Sequence, residues 1–236
     1  MADARQRVAP IPSPPRSGDR YVNVLLIDDH PLFREGLSLL LQPLRTDLVT
    51  QQAGSVEEGL DRLQTGPAAD LVLIDLGLPG MNGLDGIALL RQRYPELPVV
   101  ALSSADDRDT VLRAIDAGAM GFIPKSSTSA VLMAALQLIL ARGIYLPPVA
   151  FLGAPGVAAA APAAPERVDP AGLGLSPRQC DVLYLILQGK PAKLIERELG
   201  LSASTVKVHT SAVLRALNVT TRTQAVVAAG RLGLRF

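Results

Sequence analysis

Val22-Asn23-Val24-Leu25-Leu26-Ile27 runs straight into Asp28-Asp29, and the same pattern returns three times along the chain. Residues 71–74 end at Asp75, residues 99–102 at Ser103, and residues 121–124 at Lys125. Runs of Val, Ile and Leu this short and continuous mark strands buried on both faces, as in parallel sheets. In an open parallel sheet the carboxyl ends of the strands share one edge, and ligands bind along it. Three carboxylates, a hydroxyl and an ammonium are therefore expected to converge on one site.

Helical patterns with short joints separate these runs. Leu32, Phe33, Gly36, Leu37 and Leu40 share one face of a helix over residues 32–41. A weak strand is expected near residues 48–51, then a helix opened by Ser55 with Glu57 and Glu58 in its first turn. A third helix follows the loop Leu78-Pro79-Gly80-Met81-Asn82-Gly83. A fourth opens at Asp106 and Asp107, and Ser126 and Ser127 cap a fifth that runs to about residue 142. Five strand–helix units so closely joined predict a doubly wound α/β domain with a five-stranded parallel sheet over residues 22–146.

The flanks read differently. Residues 1–21 carry Arg5, Arg7 and Arg16 among prolines, lack the apolar core of a signal peptide, and are expected to be a disordered extension. Composition changes again over residues 147–174. Positions 154–165 are Ala, Pro, Gly and Val only, and Pro155, Pro162 and Pro165 forbid a helix interior, so a semi-stiff linker is expected. Residues 175–236 read as a small all-α domain of four helices. Ser176-Pro177 opens the first, Lys190-Pro191 the second, Ser202 and Ser204 the third over residues 205–217, and the fourth covers 221–232. Two short helices joined through Gly200-Leu201-Ser202 look like a helix-turn-helix.

Charge is split between the two domains. Residues 22–147 carry a net −6 and residues 175–236 a net +6. The basic half suits a polyanion such as DNA. The two halves can also attract each other and mask Lys207 in an inactive state. A single cysteine, Cys180, excludes an internal disulfide and fits a reducing cytoplasm. The longest apolar helical pattern, residues 130–141, is too short to span a membrane.

Chemistry at the acidic edge follows from the donor types. Mg²⁺ takes a few hard oxygens and keeps waters, so two or three carboxylates and a phosphoryl oxygen complete its shell. A carboxylate can also attack phosphorus and become an aspartyl phosphate, beside a lysine that neutralises charge and a hydroxyl that bonds the bound group. The motifs Leu25-Leu26-Ile27-Asp28-Asp29-His30, Leu73-Ile74-Asp75-Leu76-Gly77-Leu78-Pro79-Gly80-Met81, Leu102-Ser103-Ser104 and Gly118-Ala119-Met120-Gly121-Phe122-Ile123-Pro124-Lys125 resemble the receiver domain of two-component response regulators, a flavodoxin-like fold. The resemblance implies that Asp75 accepts a phosphoryl group from a sensor histidine kinase, with Mg²⁺ held by Asp28, Asp29, Asp75 and the carbonyl of Gly77. It implies that Ser103 and Lys125 contact the phosphoryl group and that Phe122 turns inward on activation. Asn82 stands where that family often has Asp.

The tail, through Leu175-Ser176-Pro177-Arg178, Leu199-Gly200-Leu201-Ser202, Thr205-Val206-Lys207-Val208-His209 and Arg222-Thr223-Gln224-Ala225, resembles the DNA-binding domain of the NarL/FixJ (LuxR-type) regulators. In its third helix Val206, Val213, Leu214 and Leu217 have core spacing. Lys207, Val208 and Ser211 are left as base readers, and Lys193, Ser202, Thr205 and Arg215 as phosphate contacts. The resemblance implies a cytoplasmic transcription regulator that binds double-stranded promoter DNA, dimerises when phosphorylated, and has at most weak autophosphatase activity. Two other readings compete. An aspartate-nucleophile phosphatase usually needs an acid two positions after the nucleophile, where this chain has Gly77; a receiver that never takes phosphate would not need the full acidic set.

Overall fold

The computed structural model describes residues 21–151 and 173–232; the expected extension, most of the linker and residues 233–236 lie outside them. Five strands, β1 (Val22–Ile27), β2 (Leu48–Ala53), β3 (Leu71–Asp75), β4 (Val99–Ser103) and β5 (Gly121–Pro124), form one parallel sheet in the order β2-β1-β3-β4-β5. β3, β4 and β5 are buried at every residue, which is why their sequences do not alternate.

Alternate residues feed two cores. Leu25, Ile27, Val72, Ile74, Ala101 and Phe122 face α2 (Val56–Thr65), α3 (Gly83–Arg93) and α4 (Arg108–Asp116). Val24, Leu26, Leu73, Val100, Leu102 and Ile123 face α1 (Pro31–Leu41) and α5 (Ser129–Leu140).

Capping explains most of the helix starts. Ser55 accepts from Glu58 N (3.2 Å), Asn82 from Asp85 N (3.0 Å) and Asp107 from Thr110 N (2.9 Å). Asn82, the departure from the family pattern, is thus the N-cap of α3. Asp107 also accepts from Thr110 Oγ1, which holds its carboxyl below the usual range. Two expectations need correcting. Thr128, not Ser126 or Ser127, caps α5, because Ser127 N–H closes a turn onto Pro124 O (3.1 Å) and the helix starts later. Leu32 is 84 % exposed rather than on the core face, because α1 buries the side carrying Leu37 and Leu41, and Leu32 lies about 140° and about 180° round the helix from them.

The second domain has its own core, with Val182, Leu183, Ile186, Ile195, Val206, Val213 and Ala225 at its centre. Its helices are α6 (Pro177–Leu187), α7 (Ala192–Leu199), α8 (Ala203–Ala216) and α9 (Arg222–Arg231). Gly200 ends α7 in a left-handed conformation (φ 63°) that favours glycine. Gln179 completes the capping box of α6, its Oε1 accepting from Ser176 N (2.8 Å).

Residues 145–151 pack on the first domain, whereas Ile144 packs on the second core. Phe122 N–H donates to Tyr145 O (3.1 Å), and a 3₁₀ turn over Pro148–Phe151 packs Val149, Ala150 and Phe151 onto the core under α4. Phe151 also touches the second core. The tail docks on the amino edge of the sheet, opposite the edge that carries Asp75. Thr223 Oγ1 donates to Met120 O (2.8 Å), and Gln224 Nε2 donates to Ile115 O (3.0 Å) and Asp116 O (3.3 Å), the last carbonyls of α4. Val227 of α9 joins the core of the first domain. Neutral hydrogen bonds and apolar contact thus take part in this docking. The expected attraction of opposite charges is represented by one loose pair among the described residues, Lys207 Nζ to Glu96 Oε1 at 3.8 Å.

Candidate functional site

Backbone bonds bring the three chemical ends together. Leu76 N–H donates to Leu102 O (2.9 Å) and Lys125 N–H to Ser103 O (2.7 Å), so the ends of β3, β4 and β5 are locked side by side. Asp28 and Asp75 are buried, and so is Ser103, whose Oγ accepts from Ala105 N (3.1 Å). Lys125 Nζ sits 2.6 Å from Asp28 Oδ2 and 2.7 Å from Asp75 Oδ2. The backbone at Gly77 passes over this group; a Cβ there would lie 3.6 Å from Asp75 Oδ2. Glycine is needed at Gly83, where a Cβ would fall 2.1 Å from the carbonyl oxygen of Asp75. Phe122 is fully buried among the α4-side core.

Three residues that sequence reasoning left out also reach the site. His30 Nδ1 lies 3.2 Å from Asp28 Oδ1 and 2.9 Å from Asp29 Oδ1, and its backbone N–H donates to Asp28 Oδ1 (2.8 Å). Arg34 donates to the carbonyl of Asp28 and to Gln52 Oε1, tying α1 to the ends of β1 and β2. The Phe33 ring centroid lies 4.6 Å from Lys125 Nζ. A usable signal existed: a helix that starts directly after Asp29 must place its first turn over the strand ends.

Asp28, Asp29, His30 and Asp75 offer ligand atoms within 4.8 Å of one another. Asp28 Oδ2 and Asp29 Oδ1 are buried without a hydrogen bond, although Lys125 and His30 stand close enough for charge contact. Three carboxylates converging within that reach are a hard-oxygen set that fits a small divalent cation, which would take Asp28 Oδ2 in exchange for the Lys125 ammonium.

In the tail, Lys207, Val208 and Ser211 are exposed on α8, and Val206, Val213 and Leu217 are buried beneath it, with Leu214 half-buried. Ser202 Oγ is spent as the N-cap of α8, accepting from Thr205 N (3.2 Å), and lies 2.8 Å from Thr205 Oγ1. Ser211 Oγ donates back to Lys207 O (3.0 Å). Arg215 is exposed, and Lys193 lines a cleft of about 910 Å³ between α7 and the amino edge of the sheet, with Tyr21, Arg45, Asp70 and Arg142.

The family model for the response regulator receiver domain matches residues 24–137, and that for the bacterial regulatory proteins of the luxR family matches residues 173–229. The glycerol metabolism activator of Pseudomonas putida is 36 % identical over 212 residues, covering 88 % of this chain and 94 % of that protein. The chain is a LuxR-type response regulator.

The regulator is also 33 % identical to the nitrate/nitrite response regulator protein NarL of Escherichia coli, over 89 % of this chain and 96 % of that one. The RcsB response regulator of Salmonella typhimurium shares the fold at 20 % identity and a TM-score of 0.52, over 88 % of this chain and 97 % of that one. A receiver domain and a LuxR-type DNA-binding domain make this regulator part of two-component transcriptional control. No helix among the described residues is long and apolar enough to cross a membrane.

Proposed function

We propose that this regulator carries a phosphorylation signal from Asp75 to promoter DNA in the cytoplasm. An Asp75 carboxylate oxygen attacks the phosphorus of a phosphohistidine on a partner sensor histidine kinase. The O–P bond forms as the P–N bond breaks, and the imidazole nitrogen keeps the electron pair. Mg²⁺, held by Asp28, Asp29, Asp75 and the Gly77 carbonyl, supplies charge neutralisation on the phosphoryl oxygens. Lys125 pairs with the new phosphoryl group and Ser103 donates to it. Turnover is limited to slow loss of the regulator's own phosphoryl group.

The observation that carries this reading is the single buried cluster of Asp28, Asp75 and Lys125 at one sheet edge, on the same chain as an exposed Lys207–Val208 face. Lys207, Val208 and Ser211 read bases, while Lys193, Ser202, Thr205 and Arg215 position the phosphates. In the docked arrangement Glu96 stands 3.8 Å from Lys207, where a groove about 12 Å wide would have to be seated and where its carboxylate would oppose phosphates. Undocking removes that carboxylate and so favours DNA binding.

A homodimer suits the remaining surface. α1 and α5 together hold two charged residues among 23, whereas α2, α3 and α4 hold eleven among 30. A surface this poor in charge, with Leu39, Val131 and Leu138 exposed, pays little like-charge repulsion on meeting its own copy. Intact-mass measurement with a small phosphodonor tests the core of the reading. One phosphoryl addition is expected, lost on chelation of the cation and in Asp75→Ala; full labelling of Asp75→Ala overturns it.

A further inference from the structure

The structure assigns Phe33 a part that rests on the reading of this site as a Mg²⁺ and phosphoryl site: it is a positioning residue that holds the Lys125 ammonium between its two carboxylates. The Lys125 side chain is 11 % exposed, and its Nζ is 2.6 Å from Asp28 and 2.7 Å from Asp75, so the ammonium stands where a cation would bind Asp28. A divalent ion that takes Asp28 Oδ2 must move the ammonium away from that oxygen while leaving it close to Asp75. A third carboxylate could hold the ammonium, but it would bind the ion as well.

An aromatic face solves this problem chemically. The Phe33 ring, 4.6 Å from Nζ, attracts an ammonium through its quadrupole and offers no oxygen to a hard dication. The ring stands on the first turn of α1, which Arg34 ties to the Asp28 carbonyl, so ring and carboxylate keep a fixed separation. The ring contact is made with the ammonium in its bridging position, 2.6 Å from Asp28 and 2.7 Å from Asp75, so it holds the ammonium where it competes with the ion.

In the unphosphorylated state the ring favours the bridging ammonium, and the ammonium competes with Mg²⁺ for Asp28. Removing the ring face while keeping the volume, Phe33→Leu, should therefore tighten Mg²⁺ binding about two- to five-fold, the range expected of a partly desolvated cation–π contact. Phe33→Tyr keeps the π face and should restore wild-type affinity. With Lys125→Ala already in place, Phe33→Leu should change Mg²⁺ affinity by less than about 1.5-fold, because no ammonium is left to position.

Calorimetric titration of Mg²⁺ into the unphosphorylated full chain, in these four backgrounds, reads the effect without any phosphorylation assay. An equal effect of Phe33→Leu with and without Lys125 overturns the inference in favour of simple packing. Equal affinities of wild type and Phe33→Leu overturn it too. A wild-type protein that binds no Mg²⁺ overturns the metal reading, and this inference falls with it.

Discussion

Gln224→Glu is the sharpest perturbation of the link between the two domains. The Gln224 side chain works at both ends. Its Oε1 accepts from Thr220 N (2.8 Å) and Thr221 N (3.0 Å), capping α9, while its Nε2 donates to Ile115 O (3.0 Å) and Asp116 O (3.3 Å) at the end of α4. A glutamate keeps the acceptor and so keeps the capping box. It loses both donors and sets a negative charge against the carbonyl end of α4. Two hydrogen bonds at about 0.5–1.5 kcal/mol each, plus about 0.3–1 kcal/mol for an anion at a helix C-terminus, amount to about 1.3–4 kcal/mol. The docked-to-undocked ratio should fall about 10- to 700-fold, at about 1.4 kcal/mol per factor of ten. Apparent DNA affinity scales with the undocked fraction and cannot exceed that of a free tail. The assay is fluorescence anisotropy of a promoter duplex with unphosphorylated full-length wild type, full-length Gln224→Glu, and residues 170–236, which carry their own core. Gln224→Glu should approach the affinity of the isolated tail. If the tail binds more tightly than wild type but Gln224→Glu does not, the latch reasoning is refuted.

Other outcomes are open to direct measurement. Lys125→Ala should still bind Mg²⁺ and take phosphate on Asp75, but phosphorylation should no longer raise DNA binding; wild-type coupling in that variant would sink the role given to the ammonium. Gly83→Ala drives a Cβ to 2.1 Å from the Asp75 carbonyl oxygen, so the loop must shift, and urea denaturation should show a loss of about 3 kcal/mol together with slower phosphorylation. Lys207→Ala should weaken binding of the isolated tail, and affinity of the parent tail should fall steeply with salt as released counterions lose their advantage; a flat salt response would remove DNA from the reading. Lys190→Ala, by contrast, should lower the stability of the tail as well as change its charge. The Lys190 ammonium is held by both oxygens of Glu198 (2.6 and 2.7 Å), and the residue's carbonyl accepts from Arg222, whose guanidinium burial pushes down to about 10 but leaves charged at neutral pH.

Much of this protein is legible in the chain itself because the signals are local. Strands buried on both faces need unbroken Val, Ile and Leu, so β1, β3 and β4 stand out, and a parallel sheet obliges their polar ends to meet. Ser55, Ser176 and Gly200 announce helix ends through bonds made within a few residues. The receiver and LuxR-type motifs carry the family for the same reason. Contacts between distant segments leave no such trace. That Phe33 faces Lys125, that Leu32 faces water, and that Phe122 lies inside depends on how α1 and β5 sit against the rest of the sheet. Above all, Gln224 completes the cap of α9 with Thr221, yet it and Thr223 also bond Met120 O, Ile115 O and Asp116 O, more than a hundred residues away. Periodicity and capping act over one or two turns, whereas docking is decided by which surfaces are left uncovered once both cores are filled.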